Sequence, residues 1–123
     1  MKYLHGNIFD FEAKIKIYTK EQGGRDTPAF NGIRWDFAYA DEDMLNQLYM
    51  IHPDFYDEKE NSISKEIPLP TNKELSARML IIASDMKEKV HRKHISIGTK
   101  FFCHEGGKRV AEGHITKITG LFD

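Results

Sequence analysis

Alternation of apolar and polar side chains is the clearest pattern in the chain, and it predicts a strand over residues 9–19. A period of two residues is typical of a β-strand with one buried face and one solvated face. The apolar positions are Phe9, Phe11, Ala13, Ile15 and Ile17, and the charged positions between them are Asp10, Glu12, Lys14 and Lys16. The same alternation at Trp35, Phe37 and Tyr39 predicts a second strand.

Further strands are predicted at residues 75–83, 100–103 and 109–118, where apolar runs are bounded by turn residues. The last two strands are joined by Glu105-Gly106-Gly107-Lys108, because a Gly-Gly pair is typical of a tight hairpin. Residues 41–51 fit either a short helix or a strand, and we favour a strand because the neighbouring segments are strands. This series of short strands with glycine turns indicates an all-β barrel or sandwich.

Three polar segments connect the predicted strands. Residues 20–32 form a loop, since Gly-Gly and Asn-Gly pairs permit positive φ angles. Residues 52–74 contain three of the four prolines and are expected to be a long connection or an insertion. With the ambiguous segment before it, this gives a long loop or insertion at about 41–74. Residues 84–96 form a charged excursion, either a loop or one helical turn.

Composition indicates one soluble domain over residues 1–123, with 40% hydrophobic and 30% charged residues and a net charge of −1. So small a net charge does little to keep copies apart, which permits self-association. The single cysteine, Cys103, predicts a reducing compartment. No signal sequence and no apolar run of about 18 residues occurs. We therefore expect a cytoplasmic protein without a membrane span.

Catalytic and cofactor-binding motifs are missing from the sequence. The phosphate-binding pattern GxxxxGK[ST] does not occur, so neither nucleotide binding nor GTPase activity is expected. Scattered histidines with one cysteine do not make a metal site. The parity of Cys103 matches that of Phe101, which indicates a small core residue and not a nucleophile. The sequence predicts no enzyme, no cofactor and no metal.

The loop between the first two strands is the strongest candidate binding site. Arg25 and Arg34 can bind phosphate or carboxylate in bidentate fashion, and Phe30 and Trp35 can stack on or anchor a partner. Two alternatives stay open from the residues alone. Either these side chains form a binding surface, or the aromatic rings fill the barrel end while the arginines bridge strands.

Two long segments resemble the third domain of elongation factor Tu. Residues 19–37, TKEQGGRDTPAFNGIRWDF, are similar to the family pattern TKEEGGRHTPFFNGYRPQF. Residues 100–118, KFFCHEGGKRVAEGHITKI, are similar to RFAIREGGRTVGAGVVTKI at the end of the same domain. The two segments keep the family's order, and the likeness covers most of residues 12–118 while weakening in 41–74.

The resemblance implies an antiparallel six-stranded barrel that contacts aminoacyl-tRNA and an exchange factor in the family. By position, Arg25 matches an arginine that contacts tRNA, and Glu105-Gly106 matches a contacting Glu-Gly pair. The binding residues that we expect, for a protein or for RNA, are Arg25, Thr27, Phe30, Arg34, Trp35, Glu105 and Gly106.

Acidic residues replace family residues on this surface, at Asp26 and Asp36. Carboxylates repel the phosphate backbone, which favours a protein partner or self-association over tRNA or other RNA. The expected function is thus a non-catalytic, translation-related binding module with a protein partner. The alternative is an RNA-binding domain that uses the arginines and the basic run Lys87–His94.

Overall fold

Six antiparallel strands form a closed barrel in the computed structural model, which describes residues 8–123. The strands are β1 (Phe11–Ile17), β2 (Trp35–Tyr39), β3 (Tyr49–Tyr56), β4 (Glu74–Ile81), β5 (Lys100–Glu105) and β6 (Lys108–Ile118). Around the barrel they follow the order β1-β4-β3-β2-β5-β6, and β6 pairs with β1 to close it. The all-β class and the six-stranded antiparallel barrel are confirmed.

The core is made by the apolar parity of each strand. In β1 every second side chain from Phe11 to Ile17 is buried, as the alternation predicts. The rings of Phe37 and Phe101 stack in the barrel interior with centroids 4.6 Å apart. Cys103 lies on the same side as Phe101 and is fully buried, and burial raises the pKa of its thiol. This cysteine is therefore a core residue, as its parity predicts.

The segment predicted as one long connection contains a strand. β3 covers Tyr49–Tyr56 and pairs with β4 from Ile51 to Tyr56, so the prediction that residues 52–74 are all connection is wrong. The prediction of a strand over 41–51 holds only from Tyr49, because residues 41–46 form a bend and turns and residues 47–48 have no regular structure. The region 41–74 is thus two connections, residues 40–48 and 57–73, separated by a barrel strand.

The position of Pro53 explains how a strand tolerates proline. β2 pairs with β3 only at Tyr49–Ile51, whereas β4 pairs along the rest of β3. At Pro53 one side of the strand is therefore without a neighbouring ladder, as at a sheet edge, where a residue that lacks an N–H is tolerated. Proline marks the local end of the β2 pairing and not the end of the strand.

Two short helical turns follow β4. A π-helical turn at Lys87–His91 is followed by α1 (Arg92–His94), so a helical turn in residues 84–96 is confirmed. The excursion is not wholly solvated, however, because His91 is 1% exposed and contacts the core. The hairpin prediction at Gly106-Gly107 is confirmed, with Gly106 at φ +60° between β5 and β6.

Neither helical turn in residues 8–123 is long and apolar enough to cross a membrane. The expectation that no signal sequence is present concerns an N-terminal segment whose residues 1–7 lie outside the described part of the chain.

Candidate functional site

A tight turn after β1 positions Arg25. Gly23 adopts φ +91°, and the Gly24 amide donates to the Thr19 carbonyl at 2.8 Å. A Cβ on Gly24 would lie 2.5 Å from the carbonyl oxygen of Tyr18, so only glycine fits there without a backbone shift. The Gly-Gly pair thus folds the loop back against β1 and sends Arg25 toward the β5–β6 hairpin.

Arg25, Thr27, Trp35 and Glu105 form one cluster, which we call the Glu105 cluster. The Arg25 guanidinium binds the Glu105 carboxylate through Nη1. The Trp35 indole donates to Oε2 of the same carboxylate at 2.8 Å. Arg25 also donates to the carbonyl and hydroxyl oxygens of Thr27, at 3.2 and 3.3 Å. Glu105 therefore holds a cation and an indole N–H together at the end of the barrel.

Trp35 belongs to the core. Its side chain is buried, and its ring meets Phe55 edge-on with centroids 6.1 Å apart. The ring is consequently not a surface for stacking a base or a partner's side chain. Phe30, in contrast, is 39% exposed in the loop before β2. Of the two aromatic anchors expected from the sequence, the solvent-facing one is Phe30.

The predicted residues are divided between two open grooves on either side of the Glu105 cluster. Arg25 and Thr27 line a groove of about 480 Å³, together with Pro28, Pro68 and Pro70. Arg34, Trp35, Glu105 and Gly106 line a second groove of about 350 Å³. The structure therefore brings six of the seven predicted residues to these grooves, and Glu105 connects the two groups through its bonds to Arg25 and Trp35.

The second groove opens on an outward-facing surface that we call the Met50 face. It consists of Arg34, Asp36, Met50, Ile82, His104 and Arg109. Register places Met50 opposite Asp36, Asp36 opposite His104, and His104 opposite Arg109. Met50 is 53% exposed and is the one large hydrophobic side chain lining either groove that is mostly exposed among the described residues. Sequence analysis missed Met50 because it lies in the ambiguous segment 41–51.

The charges on the Met50 face are only partly compensated. Among the described residues, neither Arg34 nor Asp36 lies within 4.0 Å of an oppositely charged group. Burial and the nearby Arg109 lower the pKa of His104, which favours the neutral form of its ring, while Asp36 acts in the opposite direction. Asp26, on the other side of the Glu105 cluster, is exposed and lies 3.9 Å from Lys20.

A buried polar network supports the loop from inside, and sequence analysis missed it. Asp54 accepts hydrogen bonds from Asn31 at 3.0 Å, from Ser62 at 2.8 Å and from Arg78 at 3.1 Å. The Asn31 amide also donates to the carbonyls of Phe55 and Ile63. In the sequence, Asn31-Gly32 is an ordinary turn signal. It does not indicate that the Asn31 side chain is buried and links the loop to β3 by hydrogen bonds.

Metal binding and thiol chemistry are the two activities that the described residues bear on directly. Within residues 8–123, no group of three or more His, Cys, Asp or Glu side chains is placed to hold a metal ion. The buried Cys103 has a raised pKa, which is unfavourable for a thiolate nucleophile. The arrangement of the Glu105 cluster and the Met50 face can bind a partner through charges and apolar contact.

Replacing Glu105 by alanine is expected to lower the free energy of unfolding by about 1–2 kcal/mol. The change removes the acceptor of the Trp35 N–H and the counter-charge of Arg25, although one third of the Glu105 side chain is exposed. Urea denaturation followed by far-UV circular dichroism measures the effect. Glu112→Ala is the matched control, since Glu112 is exposed and accepts one bond from Tyr18. Equal losses in the two variants would contradict a structural role for the cluster.

No known protein-family model matches this chain. Its function is therefore inferred from the segments 19–37 and 100–118 and from the surface that lies around them.

Proposed function

We propose that the chain is a non-catalytic protein-binding module related to the third domain of elongation factor Tu. The observation that carries this proposal is the ion pair between Arg25 and Glu105. In the elongation factor Tu family, the arginine at the position that Arg25 matches contacts tRNA. Here its charge is satisfied within the protein, and the neighbouring Met50 face presents an exposed apolar side chain.

The composition of the Met50 face supports a protein partner. Protein interfaces are enriched in methionine, arginine and aromatic residues and depleted in lysine and glutamate at their centres. Met50 and Arg34 are exposed here, and Arg109 lies over the Phe102 ring at 3.5 Å from the ring centroid. Phosphate binding, in contrast, depends on uncompensated cations, and the carboxylates of Asp26 and Asp36 weaken it.

A translation-related RNA-binding function is the second candidate. It is favoured by Arg34, which is exposed and forms no ion pair within the described part of the chain, and by the exposed Arg109 on the same face. Either function fits a cytoplasmic protein that needs no cofactor. The two candidates differ in what they require of Met50, because RNA binding through phosphates does not depend on an exposed thioether.

Titration of labelled aminoacylated and bare tRNA separates the two functions, with fluorescence anisotropy as the measurement. For a protein-binding module we expect no saturable binding at low salt. RNA binding would instead give an affinity that falls at least about tenfold between about 50 and about 200 mM salt. The affinity for tRNA would also be lower in Arg25→Ala and in Arg34→Ala than in the wild type. Lys59→Ala, on an exposed turn outside both grooves, is the control. Saturable, salt-sensitive and Arg34-dependent binding would overturn the proposal in favour of RNA.

The protein-binding arm of the experiment uses Met50→Glu. Crosslinking in a cell lysate is expected to give protein adducts with the wild-type chain that are lost in this variant, because a buried carboxylate opposes apolar contact. Leu48→Glu is the matched control, since Leu48 is 44% exposed but does not line the groove. Adducts that persist unchanged in Met50→Glu would show that the Met50 face is not the binding surface.

A further inference from the structure

The Met50 face carries two unpaired charges of opposite sign beside one apolar side chain. Arg34, just before β2, and Asp36, in β2, flank the buried Trp35, and Arg34 is exposed while Asp36 is half-buried. Within residues 8–123, neither forms an ion pair at 4.0 Å or less. Met50 lies directly across the strand pair from Asp36. A surface that holds both signs of charge next to an apolar contact can complement itself.

Self-complementarity is the requirement for a two-fold interface, in which residue i of one copy meets residue j of the other and the reverse. If the axis passes near Met50, each Arg34 faces the Asp36 of the partner subunit, and two ion pairs form around a central apolar contact. Such an arrangement pairs both charges that the single chain leaves unpaired. The net charge of −1 adds little repulsion between the two copies.

We infer that a second copy of this chain binds the Met50 face and closes a two-fold dimer. The inference rests on the proposed protein-binding function and names the partner at the same site. Arg34 and Asp36 supply reciprocal ion pairs, and Met50 with Ile82 supplies the apolar centre. RNA is disfavoured here because Asp36 lies at the middle of the row, between Met50 and His104.

The size of the Met50 face determines the expected affinity of the dimer. The row from Ile82, just after β4, to Arg109 crosses five of the six strands and therefore curves around the closed barrel. Its central part, Met50, Asp36 and His104, lies on three neighbouring strands about 4.8 Å apart and so spans about 10 Å. A contact of this extent is at the small end of stable protein interfaces. We therefore expect a dissociation constant in the micromolar range.

Sedimentation velocity of the wild-type chain between about 1 and about 300 µM tests the inference, because this range brackets a micromolar dissociation constant. The wild type is expected to pass from monomer to dimer. Arg34→Asp and Asp36→Arg each place like charges opposite one another across the axis. Each variant is expected to dimerise at least about tenfold more weakly. Asp43→Arg, on the exposed turn at residues 41–46, is the control and is expected to dimerise as the wild type does.

Mixing the two charge variants gives the sharpest result. In a heterodimer of Arg34→Asp with Asp36→Arg, one contact keeps the native pair and the other contains the reversed pair. An equimolar mixture is therefore expected to restore the dimer that neither variant forms alone. Far-UV circular dichroism of each variant confirms that the barrel is folded, so a loss of dimer is not a loss of fold.

Three outcomes overturn the inference: a wild-type chain that stays monomeric, charge variants that dimerise normally, or a mixture that stays monomeric. The crosslinking experiment in a cell lysate then distinguishes the absence of a dimer from the absence of any protein partner on the Met50 face. If the wild type is monomeric while Met50→Glu loses a protein adduct, a different protein occupies the face and the proposed function stands. If the wild type is monomeric and no adduct depends on Met50, both the inference and the proposed function fail.

Discussion

Asp54→Asn is expected to lower the free energy of unfolding by about 3–5 kcal/mol. Asp54 is fully buried, and its carboxylate contacts the guanidinium of Arg78, which is 4% exposed, at 3.1 Å. Asparagine keeps the shape of the side chain but removes the negative charge beside a buried cation. The amide also replaces one of the two carboxylate oxygens by a donor. Either the bond from Asn31 to Oδ1 or the bonds from Ser62 and Arg78 to Oδ2 are then lost or weakened.

Urea denaturation followed by the fluorescence of Trp35, the single tryptophan, measures this loss. Trp35 is a suitable reporter because its ring packs on Phe55, next to Asp54 in β3. Asp43→Asn is the matched control, since Asp43 is exposed and is expected to change stability by less than about 0.5 kcal/mol. A loss below about 1 kcal/mol in Asp54→Asn would show that the network adds little to the stability of the barrel.

Most of the strands can be predicted from the alternation of apolar and polar residues. β1 and β2 were recognisable because burial on one face requires an apolar residue at every second position. The hairpin at Gly106-Gly107 was recognisable because its backbone needs a positive φ angle, which glycine adopts freely. These features are local, so a reading of neighbouring residues is enough to find them.

β3 was harder to find because its stability depends on partners far along the chain. Its sequence, YMIHPDFY, contains a proline and an aspartate, which both argue against a strand when read locally. In the barrel, Pro53 lies where β2 no longer pairs, and Asp54 is stabilised by Asn31 and Arg78. Each unfavourable residue is thus compensated by a contact that only the folded chain creates.

The candidate site was only partly predictable for the same reason. The likeness to a known family placed Arg25 and Glu105 on one surface, although 80 positions separate them. It did not predict that the two bind each other, which lowers the availability of Arg25 for phosphate. Met50 had no signal in the sequence, because an exposed methionine is distinguished from a core methionine only by the register that places it beside Asp36.

His91 predicts a pH dependence of stability that the sequence does not suggest. The ring is 1% exposed, Nδ1 lies 2.6 Å from the Tyr39 hydroxyl, and Nε2 has no hydrogen-bond partner among the described residues. Burial lowers the pKa of His91 to about 4, with a smaller effect of His94 in the same direction. Asp10, which binds Lys87 at 2.7 Å, acts in the opposite direction.

The direction of the effect follows from the proton counts of the two states. An unfolded histidine has a pKa of about 6.5, so between about pH 6.5 and about pH 4 the unfolded chain binds a proton that the folded chain does not. The contribution of His91 is therefore fully present above about pH 6.5, falls as the pH drops toward about 4, and is constant below that. The total loss from this group is about 3 kcal/mol.

Urea denaturation at pH 7 and pH 4 tests this prediction in the wild type and in His91→Phe. Carboxylates add a pH dependence of their own in both proteins, so the measured quantity is the difference between the two. The wild type is expected to lose about 3 kcal/mol more than His91→Phe on acidification. Tyr39→Phe is the control, because it removes the hydroxyl at 2.6 Å while His91 stays buried. It is expected to lower stability by about 1 kcal/mol at both pH values and to keep the wild-type pH dependence. Equal acid sensitivity in the wild type and His91→Phe would mean that the ring is protonated, or reaches water, in the folded barrel.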